Sequence, residues 1–191
     1  MSIQVMIVDD HAVVRTGYRR LIDAEPDLRV VADVATGDEA CAALRDNTID
    51  VVVMDLSLRE GSGLEAIKRL LERQPHLRVL VFSMHEAVGY VTQALRNGAL
   101  GYITKNSEPL EMIAAIRTVH QGRKYVTPEV AQMLVDNLAA PESEELHASL
   151  SERELQTLTL IASGKKLSDI AEELMLSPKT VSVYRARVLE K

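Results

Sequence analysis

Five short apolar runs, at residues 3–8, 29–34, 51–54, 79–82 and 100–103, alternate with stretches of helical period, and a fifth such stretch at 110–121 closes the series. Val, Ile and Leu dominate the runs, as in strands buried on both faces. Strand and helix in strict succession constrain the fold severely. Crossovers between parallel strands are right-handed and lay their helices on both faces of one sheet. The pattern then stops. Thr127-Pro128 opens a helix expected over 128–138, with proline in its first turn. AAPESEELHAS follows, acidic and aperiodic, and reads as a linker. Beyond it lie three short helices and no strand signal. The expectation is a doubly wound α/β domain followed by an all-α domain.

A chain of 191 residues is long enough for two small cores. No apolar run reaches membrane-spanning length, and MSIQVMIVDD lacks the basic start and apolar stretch of a signal peptide. Cys41 is the only cysteine, so no intrachain disulfide can form; it sits in a helical pattern with nothing basic beside it and reads as a small core residue. These features point to a cytoplasmic protein. The net charge of −6 conceals an uneven distribution. Residues 127–148 carry Glu129, Asp136, Glu142, Glu144 and Glu145 and no basic side chain, whereas 178–191 carry Lys179, Arg185, Arg187 and Lys191 against Glu190.

In an open parallel sheet, sites form beyond the carboxyl ends of the strands. Asp9 and Asp10 follow the first run, Asp55 the third, Ser83 the fourth, and Thr104 and Lys105 the fifth. Three carboxylates meeting in one crevice cannot all stay ionised without a cation. A hard divalent ion such as Mg²⁺, held by carboxylates, waters and phosphate oxygens, matches this set. Lys105 adds a second positive charge, and the Ser83 hydroxyl can bond a phosphate oxygen. Asp55 is then the candidate nucleophile for a phosphoryl group. A dinucleotide site is excluded at the first turn, since DDHAVVRTG has no G-x-G-x-x-G.

The ends of the last three helices are well marked. Ser151-Glu152-Arg153-Glu154 fits a capping box, with Leu150 and Leu155 at hydrophobic-staple positions. Ser168 is expected to cap a second helix ending near Met175, and Ser177-Pro178 to start a third. Leu155, Leu158, Ile161, Ile170, Ala171, Leu174, Val181, Tyr184 and Val188 are the expected shared core. On the third helix, Val181, Tyr184 and Val188 fall on one face. Lys179, Ser182, Val183, Ala186 and Arg187 lie opposite, with Arg185 to the side. A basic helix with small residues suits the DNA major groove. Lys179, Thr180, Arg185 and Arg187 are placed to reach phosphates, and Ser182, Val183 and Ala186 to approach base edges.

Asp9-Asp10, VVMDLSLREGSGLE around Asp55, VFSMHE at Ser83 and GYITKN at Lys105 resemble the response-regulator receiver domain of two-component signalling. The resemblance implies a flavodoxin-like (βα)5 fold and phosphorylation of Asp55 by a sensor histidine kinase. It implies Mg²⁺ held by Asp10, Asp55 and the backbone carbonyl of Ser57, with Asp9 behind them. It also implies a switch in which the Ser83 hydroxyl moves toward the phosphoryl group and the Tyr102 ring turns inward. Asn106 stands where many receivers have proline, and Leu58-Arg59 where many have Met-Pro. LSERE, Gly164, DIAEEL and SPKTV resemble the LuxR-type helix-turn-helix of the NarL/FixJ response regulators, although Tyr184 stands where many have histidine. KYVTPEVAQMLV and LSPKTVSVYRARVLEK most resemble the GacA/UvrY group. In that family a fourth helix, which makes the dimer contact, follows the third; this sequence ends at Lys191 without it.

The expected organisation is a receiver at 1–122, a linker helix and acidic linker at 123–148, and a helix-turn-helix domain at 149–191. The expected function is phosphorylation-dependent transcriptional regulation by a homodimer on double-stranded DNA, with phosphoryl chemistry directed only at the protein's own Asp55. The rival reading is a phosphate sink or interaction module whose helical tail docks a protein. A metal-dependent phosphatase is a third, without an identifiable substrate pocket.

Overall fold

The computed structural model describes residues 2–139, 151–174 and 176–190, with the backbone alone at 139, 152, 187, 189 and 190. Two units result, Met1–Ala139 and Ala140–Lys191. The first runs β1 (Ile3–Val8), α1 (Ala12–Asp23), β2 (Leu28–Val34), α2 (Gly37–Asp46), β3 (Val51–Met54) and α3 (Gly63–Arg73). It continues through β4 (Arg78–Ser83), α4 (Val88–Arg96), β5 (Gly101–Thr104), α5 (Pro109–His120), β6 (Tyr125–Val126) and α6 (Pro128–Ala139). The sheet order is β2-β1-β3-β4-β5-β6, and every pairing is parallel.

The apolar runs are strands because helices cover both their faces. Val51, Val52, Val53 and Met54 are each at most 2% exposed, and burying side chains of this size stabilises the fold by about 1.5–3 kcal/mol apiece. The sheet departs from a five-stranded expectation. Tyr125 and Val126 add a sixth strand on β5, pairing with Gly101 and Tyr102, and the Tyr125 N–H donates to Leu100 O at 3.0 Å. Two residues are too few to show a period, so only the free edge of β5 creates this strand. α6 packs against α4, and the hydroxyl of Thr127, just before it, accepts the Val130 N–H at 3.4 Å. Residues 123–139, read from sequence as part of a linker, thus belong to the sheet unit. The acidic stretch beyond Ala139 lies outside the described residues.

Strand order decides where the polar ends meet. β1 has β2 on one side and β3 on the other, so the chain reverses direction of growth between β1 and β3. Val8 pairs with Met54, and the Asp55 N–H donates to Val8 O at 2.8 Å. Asp9 and Asp55 therefore emerge side by side. Ser83 and Thr104 are the last residues of β4 and β5, not the first beyond them, and are paired with each other.

The second unit comprises α7 (Glu152–Ala162), α8 (Leu167–Glu173) and α9 (Pro178–Glu190). The capping box forms: Ser151 Oγ accepts the Glu154 N–H at 3.4 Å and the Glu154 carboxylate accepts the Ser151 N–H at 2.7 Å. Its expected staple partner Leu150 lies outside the described residues. Gly164, at φ +81°, ends α7 in the left-handed region that glycine favours. Ser168 does not cap α8. That helix starts at Leu167 with Lys166 as its uncapped N-terminal flank, and the Ser168 hydroxyl donates to the Asp169 carboxylate at 3.0 Å. Starting earlier lets Leu167 join the core, where Ile170, Ala171 and Val181 are buried among Leu160, Ile161, Leu167, Leu174 and Leu176. Leu155, Leu158, Tyr184 and Val188 are only half-buried.

Candidate functional site

The crevice at the carboxyl end of the sheet is organised by one ammonium. Lys105 Nζ lies 2.6 Å from Asp9 Oδ2 and 2.7 Å from Asp55 Oδ2, so the loop after β5 is tied to the ends of β1 and β3. The same nitrogen sits 5.7 Å above the Phe82 ring, which Tyr18 meets edge-on at 4.6 Å. Asp55 Oδ1 accepts the Ser57 N–H at 3.1 Å. Asp9 and Asp55 are both 2% exposed. The Asp10 side chain has its Oδ2 at 3.0 Å from Arg59 Nε and its Oδ1 at 2.7 Å from His11 Nδ1.

One buried ammonium cannot balance two buried carboxylates. Burial pushes the Asp55 carboxyl above the usual carboxylate range; Lys105 and the Ser57 N–H pull it down without cancelling the shift, and Asp9 adds to it. Burial alone would depress the Lys105 ammonium, but Asp55 and Asp9 outweigh burial and hold it above the ordinary lysine value. Ligand atoms of Asp9, Asp10, His11 and Asp55 lie within 4.8 Å of one another. Asp10 Oδ1 is buried yet accepts no hydrogen bond. Carboxylate oxygens at this spacing, one of them without a donor, fit the donor set of a hard divalent cation.

Ser83 and Tyr102 are both fully buried, and both turn to one residue that the sequence did not single out. Ser83 Oγ accepts the His85 N–H at 3.2 Å, and the Tyr102 hydroxyl donates to His85 O at 2.6 Å. The His85 ring stacks on Tyr90 with centroids 4.2 Å apart, and its Nε2 lies 2.9 Å from Ser57 Oγ. Burial pulls its imidazole below the ordinary histidine value. His85 thus joins the loop after Asp55 to the loop after Ser83.

A second surface lies on α9. Ser177 Oγ accepts the Thr180 N–H at 3.1 Å and starts the helix. Lys179, Ser182, Val183, Arg185 and Ala186 are exposed along it, while Val181 is fully buried. Thr180 is half-buried, its hydroxyl 2.8 Å from that of Ser177. The Ser182 hydroxyl folds back on Pro178 O at 2.9 Å. The Arg187 side chain is outside the described set.

Residues 5–117 match the family described as "Response regulator receiver domain", and residues 148–191 match "Bacterial regulatory proteins, luxR family". The chain belongs to the response regulators. It is 37% identical over 190 residues to the response regulator UvrY of Escherichia coli K12, covering 99% of this chain and 87% of that one. It is 40% identical over 190 residues to the response regulator GacA of Pseudomonas aeruginosa, covering 99% and 89%. Among solved structures it resembles "two RcsB dimers bound to two parallel DNAs", at 25% identity and a TM-score of 0.68, covering 98% of this chain and 90% of that one. It is a response regulator with a LuxR-type DNA-binding domain, and a member of a family of transcriptional regulators.

Gly63 is a further residue of this response regulator that sequence reading missed. A Cβ there would lie 2.3 Å from Asp55 O and 2.5 Å from Leu56 Cα. Only glycine lets the start of α3 close against the strand end that presents Asp55. The signal was present, as a glycine beside Ser62, which caps α3 by accepting the Glu65 N–H at 3.4 Å. No local pattern reveals that the backbone of Asp55 is what approaches it.

Proposed function

We propose that in the cytoplasm Asp55 accepts a phosphoryl group from the phosphohistidine of a sensor histidine kinase, and that this controls binding of a homodimer to double-stranded DNA. The observation that carries the reading is the Lys105 ammonium held between Asp9 and Asp55. A phosphoryl group on Asp55 arrives with its negative charge beside that ammonium. Asp10, Asp55 and the Ser57 carbonyl would hold Mg²⁺, with Asp9 behind them, and the donor set fits that ion. When bound, the ion supplies charge neutralisation for the transferring oxygens.

Lys105 must give up part of its contact with the Asp55 oxygen as that oxygen bonds to phosphorus. The Ser83 hydroxyl, now an acceptor for the His85 N–H, is the nearest oxygen donor on β4 able to turn to the phosphoryl group. Its turning releases the His85 backbone, which also carries the Tyr102 hydroxyl. Ser83, His85 and Tyr102 are thereby one linked switch.

For DNA, Lys179, Arg185 and Arg187 would contact phosphates, with Thr180 beside the helix start. Ser182, Val183 and Ala186 would face base edges. The division of labour we propose is a receiver ending at Ala139, an acidic connection, and the helix-turn-helix from 149 to 191. The dimeric, DNA-bound solved relative supports this arrangement.

The test is intact mass after acetyl phosphate and Mg²⁺, on this chain and on Asp55→Ala. One phosphoryl group on the first and none on the second is the expected result. Equal labelling of both overturns the assignment of Asp55. No labelling of either leaves a receiver fold without receiver chemistry.

A further inference from the structure

We propose that His11 gives the cation site a nitrogen ligand, which raises its affinity for first-row transition-metal ions such as Co²⁺ relative to Mg²⁺. The inference rests on the reading of Asp10 and Asp55 as cation ligands and adds to it a residue of different chemistry. His11 Nδ1 lies 2.7 Å from Asp10 Oδ1 and 3.3 Å from Asp9 Oδ1. Two ligand atoms each about 2.1 Å from an ion and roughly at right angles to it stand about 3.0 Å apart. The Nδ1–Asp10 Oδ1 separation is close to that value, while the oxygen of Asp9, which stands behind the ion, is farther off.

The oxygen nearest the imidazole is the one that lacks a donor. The Asp10 side chain is 7% exposed, and its Oδ1 accepts no hydrogen bond even with Nδ1 at 2.7 Å. Its Oδ2 is held separately by Arg59 Nε at 3.0 Å. An ion at Oδ1 and Nδ1 leaves the Arg59 contact in place.

The position of His11 is fixed by its backbone rather than its ring. It precedes α1 and makes no side-chain cap there. Its N–H donates to Asp9 Oδ1 at 2.7 Å. The side chain is 57% exposed, so an ion reaches it from solvent. Mg²⁺ favours oxygen ligands and sheds water reluctantly. An imidazole nitrogen instead strengthens binding along the series from Mn²⁺ towards Cu²⁺. A crevice of carboxylates alone would rank these ions less steeply.

The experiment uses the full chain, Asp10→Asn and His11→Ala. Co²⁺ and Mg²⁺ binding are measured by equilibrium dialysis, counting only the binding that Asp10→Asn removes, because the other histidines also take Co²⁺. The ratio of Co²⁺ to Mg²⁺ affinity is expected to fall about tenfold in His11→Ala. Pulsed electron paramagnetic resonance of bound Mn²⁺ should show nitrogen coupling in the unaltered chain and lose it in His11→Ala. An unchanged affinity ratio overturns the inference, as does Mn²⁺ with no nitrogen coupling or with coupling that survives His11→Ala; each leaves Asp10 and Asp55 as cation ligands. Asp10→Asn that loses neither Co²⁺ nor Mg²⁺ overturns that underlying reading, and the inference with it.

Discussion

The crevice and the α9 surface use charge in opposite ways. In the crevice, Asp9, Asp55 and Lys105 are withdrawn from water and held against one another at hydrogen-bond distance. On α9, Lys179 and Arg185 stand in solvent. A buried charge changes the energy of the fold when its partner changes, so the phosphoryl group we propose there would have structural consequences. An exposed charge contributes little to stability and is left to attract a ligand, with a strength that salt controls. The withdrawn charges suit the proposed switch to the first unit, and the solvent-facing ones suit DNA binding to the second.

The largest effect is expected where the charges are buried. Lys105→Met leaves two buried carboxylates facing each other and should cost about 3 kcal/mol of folding free energy at pH 7. Urea unfolding of the first unit measures it, and a loss well under about 1 kcal/mol would place these charges with ordinary surface pairs. The lysine's folded pKa is raised, so its contribution is complete below its ordinary value and disappears as pH rises through the raised one.

Next in size is the second unit, whose core is small. Val181→Ala removes methyl groups from a fully buried site and should cost about 2 kcal/mol. The loss should fall on the unfolding of α7, α8 and α9 alone, followed by hydrogen exchange of their amides. Equal loss of protection in the sheet would join the two units into one cooperative fold.

Asp55→Asn removes a buried negative charge instead of a positive one. A raised folded pKa means the folded protein retains a proton that the unfolded chain has already released. Asp55 therefore costs stability as pH rises past the ordinary carboxylate value of about 4. The amide should raise stability at pH 8 and leave it unchanged at acid pH, where the carboxyl is protonated in both states. A destabilised Asn variant at pH 8 would show that Lys105 fully compensates both carboxylates.

The smallest effect lies on the exposed face. Lys179→Ala should leave unfolding unchanged, weaken DNA binding across all sequences, and reduce the slope of log affinity against log salt by about 1. An unchanged slope would take Lys179 off the phosphate backbone.

Much of this was legible in advance because it rests on local rules. Alternating runs gave the strands within a residue or so. A residue just past a buried strand must lie at the sheet edge, which placed Asp9, Asp55 and Lys105 together. The capping box at Ser151 needs only a serine and a glutamate three residues on. Ser168 shows the limit of the same rule. A serine near a helix start satisfies the pattern wherever the helix begins, and here the burial of Leu167 set the start.

The sequence alone determined the order of elements, the two-unit plan, the residues at the strand ends and the exposed face of α9. Each follows from periodicity or chain connectivity, which act over a few residues. Tertiary structure decided the rest. The edge of β5 recruited Tyr125 and Val126 into the sheet, and α4 drew α6 against it. The approach of α3 to Asp55 made Gly63 obligatory. The meeting of two loops made His85 the partner of Ser57, Ser83 and Tyr102 together. These are contacts between residues distant along the chain, and the backbone's path through space is what brings them within reach.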